Sequence, residues 1–382
     1  MSALARLAAC CAVALATAAV HAGPPEPAAV RVGVVLSLTG PGSATGLPDR
    51  DGLLLAAKRI NAAGGIGGRP LQLVVADDQS LPAQAAARAE ALAAQGVRLL
   101  VGPNLLANAI AAGQVAVQRG LPMVALTGID LAHEGERECV LHVLPSQSLN
   151  AMALLAYARN ALGATRVAVL HDGGYGRVIM DNLRRHADAF GIGFSAVEEF
   201  RIDGSDAADK ARRLKAGEPA AVFVVGLSPR PFQAVRDAGL FVPVIAALAS
   251  ATYPTVQAMG PAANNIRFAE FVVGEDPLLH QQDFIAAFRA EYGRLPKTFE
   301  AASWDALQSA AAALERAGPD AAAPQVCQQL RKPYKGVVGE FDFSAADRTG
   351  LTLRSFVFSK VTMGNFSRLP YRYREGGAVV TR

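Results

Sequence analysis

From residue 30 onward the chain repeats one pattern, a short run that is apolar at nearly every position followed by a longer segment of helical period. The runs are "VRVGVVLSL", "LQLVVAD", "VRLLVG", "LPMVAL", "RVAVLHD", "FSAVEEF", "AAVFVVG", "PVIAAL" and "IRFAEFVV". The helical segments between them include 52–63, 83–95, 109–119, 150–162, 176–190 and 231–239. A strand with one wet face alternates polar and apolar residues, whereas these runs are suited to burial on both faces, as in a parallel sheet covered by helices. Right-handed crossovers turn such a βα series into a doubly wound open sheet. A chain of 382 residues suits two such units rather than one. The expected fold is α/β, with two doubly wound three-layer lobes.

The stretch "LHVLPSQS" at 141–148 closes the first set of units and is a candidate crossover. After "FVVGEDP" the pattern changes: one helix carries Phe284, Phe288 and Tyr292 on a single stripe, and "GRLPKTF" leads into another over 301–316. "GVVGEFDFS" and "LRSFVFSKV" alternate and are expected to be strands that finish existing sheets. The polar, Gly-rich end reads as a loose tail.

The first residues follow a different logic. Arg6 precedes "LAACCAVALATAAV", too short to span a bilayer comfortably, and "VHA" ends on a small residue before Gly23. Residues 1–22 are expected to be a removed secretory signal. A lipoprotein reading anchored at Cys10 has the right local spacing, although it leaves almost no apolar core ahead of the cysteine. No other segment is long and apolar enough to cross a membrane. Cys10 and Cys11 would leave with the signal, so Cys139 and Cys327 form a candidate disulfide in an oxidising compartment. A net charge of +4 with no dense Lys/Arg block gives a nucleic-acid or polybasic membrane partner no support.

Motifs for catalysis do not assemble. The glycines of "NAAGGIGGRP" follow a helix, where a C-terminal cap and turn explain them better than a phosphate loop. "DGGYGR" at 172–177 does sit between a strand and a helix, so its amides could meet an anion, and a plain tight turn explains it equally well. His133, His142, His171, His186 and His280 lack metal-ligand spacing. Asp77 and Asp78 end a strand and point to opposite faces, which suits a loop or helix cap. Neither a metal, a cofactor nor an enzymatic activity is expected.

Four stretches, "VGVVLSLTGPGSATG", "DGLLLAAKRINAAGGIGGRPLQLVVADDQS", "VRLLVGP" and "RGLPMVAL", come in one order and spacing. Together they resemble the leucine/isoleucine/valine-type periplasmic solute-binding proteins of ABC importers, over about 30–366. "RVAVLHDGGYG" and the "SWDALQSAAAAL" helix agree with it. The resemblance implies a type I periplasmic binding protein fold, with two lobes joined by a three-crossover hinge and closing on a solute in the cleft. The implied layout is a signal over 1–22, lobe 1 over 23–146 plus 275–348, lobe 2 over 147–274 plus 349–368, and a tail over 369–382.

Carried over residue by residue, the resemblance puts the ligand near Leu105, Leu106, Thr127, Gly128, Ile129, Tyr175, Leu227, Ser228, Leu248 and Ser250. Relatives that bind amino acids offer a Ser hydroxyl at about Leu106, a Ser-Ala-Thr loop where this chain has Thr127, Gly128 and Ile129, and an acidic residue where it has Leu248, Ala249 and Ser250. Tyr175 matches a Tyr of the family. A buried ammonium without its counter-charge costs on the order of several kcal/mol, so an ordinary amino acid should bind poorly. Leu105 and Leu106 have three readings: core packing, an apolar wall, or a degenerate site. The preferred one makes Leu105 packing and Leu106 wall, with Asn104 or Asn108 capping the next helix.

The expected function is an exported, periplasmic and monomeric receptor that delivers a small, mostly apolar solute to a membrane ABC permease. The solute would be an aliphatic or aromatic carboxylate or amide, or an amino-acid-like molecule if Asp49 or Asp51 supplies a displaced ammonium contact. Arg230 is an alternative anion partner, although a solvated surface role suits it better. The rival is a sensory module that reports its ligand without transport, which a neighbouring kinase or chemoreceptor gene would favour over permease genes.

Overall fold

The computed structural model describes residues 28–129, 139–374 and 379–380. The expected signal over 1–22, with Cys10 and Cys11, lies outside these residues, as do His133 and part of the tail.

Five apolar runs form the first sheet: β1 (Val30–Leu36), β2 (Leu71–Asp77), β3 (Leu100–Val101), β4 (Met123–Ala125) and β5 (Val140–His142). All pair in parallel, in the order β2-β1-β3-β4-β5. The next five runs repeat that order: β6 (Arg166–Asp172), β7 (Gly193–Phe200), β8 (Ala221–Val225), β9 (Val244–Ala246) and β10 (Ile266–Glu270) lie as β7-β6-β8-β9-β10. In each sheet the winding reverses beside its first strand, so each has a switch point where the loops leaving two neighbouring strands diverge and leave a crevice.

The short pair β11 (Tyr334–Lys335) and β12 (Glu340–Phe341) is antiparallel and stands apart, so "GVVGEFDFS" does not complete either large sheet as expected. The reason lies in Asp305, whose buried carboxylate accepts from the Val337 and Val338 amides, each at 2.8 Å, and ties this segment to a helix instead. "LRSFVFSKV" behaves as expected: β13 (Val357–Thr362) joins β10 antiparallel, and β14 (Asn365–Arg368) follows it at the edge.

The chain therefore passes between the sheets three times, after β5, after β10 and before β13. Helices Ser43–Ala62 and Thr298–Ala317 pack together beside the first sheet. Gly52 permits their approach, because a Cβ there would lie 2.2 Å from the Glu300 carbonyl oxygen. The first of these helices starts well before the expected 52 and runs through Pro48, its entry held by Asn104, which binds the Gly42 carbonyl and the Thr45 hydroxyl. Cys139 and Cys327 are joined as a disulfide, linking the β5 entry to helix Ala323–Leu330. The expected tail is not loose throughout, since Tyr371 is buried with its ring edge-on to Tyr157, centroids 5.0 Å apart.

No helix among the described residues is long and apolar enough to cross a membrane.

Candidate functional site

The carboxyl ends of both sheets open onto one cavity of about 610 Å³. Its walls come from the loops and first helical turns after β1, β2, β3, β4 and β5 and from Phe299 on one side, and from those after β6, β7, β8 and β9 on the other. Both switch points therefore contribute to it. The volume falls within the roughly 300–1,000 Å³ usual for small-molecule sites.

Apolar side chains dominate the surface. Leu105, Leu106, Leu126, Leu144, Leu248 and Phe299 face the cavity, and Ile202 and Leu227 add to the side of the second sheet. Leu105 also packs over Gly42 of the loop after β1, where an added Cβ would meet it at 2.8 Å. Leu106 packs against the core between the first sheet and its outer helices. Both leucines are thus wall and packing at once, and the division of roles expected between them does not hold.

Six of the ten residues carried over line the cavity: Leu105, Leu106, Thr127, Tyr175, Leu227 and Leu248. The other four stand outside the lining for identifiable reasons. Gly128 is wedged against Pro145, where a Cβ would lie 1.7 Å from the carbonyl oxygen. Ile129 is buried in the core beneath β4. Ser250 is buried, its hydroxyl donating to the Gly226 carbonyl at 3.1 Å. The Ser228 hydroxyl turns to the Arg230 amide at 3.3 Å, bracing its own loop.

The other sequence candidates also settle elsewhere. Asp49 is fully buried between helices, and Asp51 pairs with Arg50 and Arg294 at 2.8 and 2.7 Å, so neither reaches the cavity to hold an ammonium. Arg230 is exposed and lies outside the lining. Asp77 and Asp78 are loop ties: Asp77 accepts from the Leu38 and Gln79 amides, and Asp78 from the Ser37 hydroxyl and the Ser80 amide. Neither Asn104 nor Asn108 caps helix Leu106–Gln118, which begins without a side-chain cap. Asn104 is turned instead to the Ser37 amide, at 2.8 Å.

The "DGGYG" turn resolves as a structural device. Asp172 Oδ1 accepts from the Gly174 and Gly176 amides at 3.0 and 2.7 Å, and Oδ2 from the Leu227 amide at 3.1 Å. These amides serve the chain's own carboxylate, so an incoming anion finds them occupied. Tyr175 follows at the start of helix Tyr175–His186. Burial, and then the neighbouring Asp172 charge, push its phenol well above the usual range, so it stays a neutral hydroxyl.

Among the polar side chains of the lining that the sequence did not mark as ligand contacts are Asn108, Gln147 and Asn150, all nearly withdrawn from water. Gln147 and Asn150 stand in the first turns of helix Gln147–Leu162, whose N-cap Ser146 accepts from the Leu149 amide at 3.1 Å. No Lys, Arg or His is found among the described residues of the lining, and Asp172 is its one carboxylate. No cluster of metal-binding side chains occurs among the described residues.

The model of the family described as periplasmic binding proteins matches residues 29–362. The chain belongs to this family. Among its relatives is the Leu/Ile/Val-binding protein homolog 3 of Brucella melitensis, 26% identical over 329 residues that make up 82% of this chain and 87% of that one. The fold is shared with the branched-chain amino acid transporter substrate-binding protein LivJ of Streptococcus pneumoniae, solved with isoleucine, at a TM-score of 0.80 and 24% identity over 89% of this chain and 99% of that one. An ABC transporter substrate-binding protein of Desulfitobacterium hafniense, solved with Leu, is 25% identical at a TM-score of 0.73, covering 89% of this chain and 99% of that one. Two lobes of repeated sheet order flank the cavity, an arrangement that permits hinge closure on a solute.

Proposed function

We propose that the protein is an exported receptor of an ABC importer that encloses a small, largely apolar solute between its lobes and presents it to a membrane permease. The supporting observation is the character of the cavity to which both switch points contribute: leucine-lined, free of cationic side chains among its described residues, and with the one carboxylate among them already engaged by three backbone amides. Fully burying a leucine-sized apolar group contributes about 1.5–3 kcal/mol, so an apolar tail supplies a substantial share of the binding energy without any charged partner.

In this reading the leader is cleaved after Ala22 and the receptor works as a monomer outside the cytoplasm. Lobe 1 comprises 23–146 and 275–348, and lobe 2 comprises 147–274 and 349–368. The ligand contacts Leu105, Leu106, Thr127, Tyr175, Leu227 and Leu248. A zwitterionic amino acid fits this lining poorly, because its ammonium meets no free carboxylate among the described residues.

Thermal-shift measurements over aliphatic and aromatic acids, their amides and the standard amino acids test the proposal, since a ligand that binds only the folded chain raises its melting temperature. The expected result is a rise with apolar acids or amides and little or none with leucine or valine. A strong rise with leucine alone would contradict the ligand class.

A further inference from the structure

The head group that the cavity takes can be narrowed further, on the basis of the receptor reading above. Asn108, Gln147 and Asn150 are 1%, 3% and 3% exposed and all line the cavity. Gln147 and Asn150 are three residues apart on one helix and so share a face. Each of the three has a buried polar atom without a partner: Asn108 Nδ2, Gln147 Oε1 and Asn150 Oδ1. The orientation of Gln147 is fixed, because its Nε2 donates to the Gly128 carbonyl at 3.0 Å and a reversed amide would set two oxygens against each other.

A buried polar group left unpaired destabilises the fold, and a ligand that pairs it removes that penalty. Three such side chains line one cavity, and a ligand that pairs with all of them brings protons for two acceptors and a lone pair for one donor. The same wall holds the first turns of helices Leu106–Gln118 and Gln147–Leu162, whose leading amides have no partner within the helix and whose positive dipole ends favour an oxygen.

We infer that the ligand carries an uncharged carboxamide head, its NH2 donating to Gln147 Oε1 and Asn150 Oδ1 and its carbonyl accepting from Asn108 Nδ2, with an aliphatic or aromatic tail against Leu106 and Leu248. A carboxylate brings no proton for the two acceptors. An ammonium brings no lone pair for the donor. A zwitterion brings both, and with them two charges that must leave water where Asp172 is already engaged and no cation lines the wall among the described residues.

Calorimetric titration at pH 7 with 4-methylpentanamide, 4-methylpentanoate and leucine separates the three heads on one hydrocarbon tail. The amide is expected to bind at least tenfold more tightly than either of the others. Asn150→Leu is expected to lose at least tenfold of the amide affinity while keeping its unliganded melting temperature. Asn150→Asp, close in shape, is expected to turn the preference toward 4-methylpentylamine. Tighter binding of the acid or of leucine, or an unchanged preference in Asn150→Asp, overturns the carboxamide assignment and leaves the receptor reading standing. Binding of none of the panel also overturns the assignment. The receptor reading itself fails only if a broad set of small organic solutes, charged ones included, leaves the melting temperature unmoved.

Discussion

Lys297 Nζ lies 2.5 Å from Glu270 Oε2, with both side chains withdrawn from water. Glu270 ends β10 of the second sheet, while Lys297 immediately precedes the helix that packs beside the first, so the pair bridges the lobes at a crossover. The ammonium also stands 3.2 Å from the centre of the Phe366 ring, and the Ser359 hydroxyl donates to Glu270. Burial drives the Glu270 carboxyl upward and the Lys297 amine downward, each opposed by the charge of the other.

Removing one member of such a pair strands a charge. Lys297→Met is expected to cost about 3–5 kcal/mol in urea unfolding. The double variant Lys297→Met with Glu270→Gln is expected to recover part of that loss, since it leaves no uncompensated charge. A double variant less stable than Lys297→Met would show that the bridge is not the source of the loss.

The Cys139–Cys327 bond closes a loop that runs through both lobes, with a sequence separation of 188. Cross-links of this kind stabilise mainly by restricting the unfolded chain, typically by about 2–4 kcal/mol. Cys327→Ser is expected to unfold at lower denaturant by that amount and to lose its sensitivity to reductant. Equal stability with and without dithiothreitol in the parent protein would show that the bond does not form.

Asp49 is the clearest source of pH dependence. Both of its oxygens are buried without a partner, and burial first, with the nearby Glu300 charge second, raises its carboxyl well above the usual range. The folded state therefore keeps a proton that the unfolded chain releases. Its contribution is fully present below the ordinary carboxylate range and is lost as pH rises. Asp49→Asn, uncharged at every pH, is expected to match the parent at low pH and to become progressively more stable than it toward pH 8. Melting curves of both proteins across that interval check the sign. A gap that shrinks with rising pH would contradict it.

Leu106 and Leu248 are expected to carry the apolar part of binding. Leu106→Ala or Leu248→Ala should weaken an apolar ligand by about 1–2 kcal/mol, roughly tenfold. The half-buried Leu106 should do so with a smaller loss of fold stability than Leu248, which is almost fully buried. Titration and thermal unfolding of the same samples separate the two effects.

The two-sheet architecture was legible because burial on both faces leaves a mark at every strand position: even β4 and β5, three residues each, sit inside their apolar runs. "GVVGEFDFS" misled because an alternating run does not say which edge it joins, and the Asp305 tie that decides it comes from a residue far away in sequence. At the site, Tyr175 and Leu248 were placed by the loops that follow their strands. Asn108, Gln147 and Asn150 were not, since an amide in a helical segment looks the same whether it faces water or a cavity. Ser146 was the available signal, a helix start just ahead of Gln147. Asp49 and Asp51 could not be separated from the cavity by sequence either, because their distance from it is set by the helix Ser43–Ala62 packing on Thr298–Ala317.

The most direct test of the whole account is a crystal structure of the receptor with a solute it binds at low concentration. The expected density lies between Leu106 and Leu248, with the solute's polar end among Asn108, Gln147 and Asn150 and no charged side chain within hydrogen-bond distance of it. A solute held by an ion pair to Asp172, or seated anywhere other than between the two sheets, would contradict it.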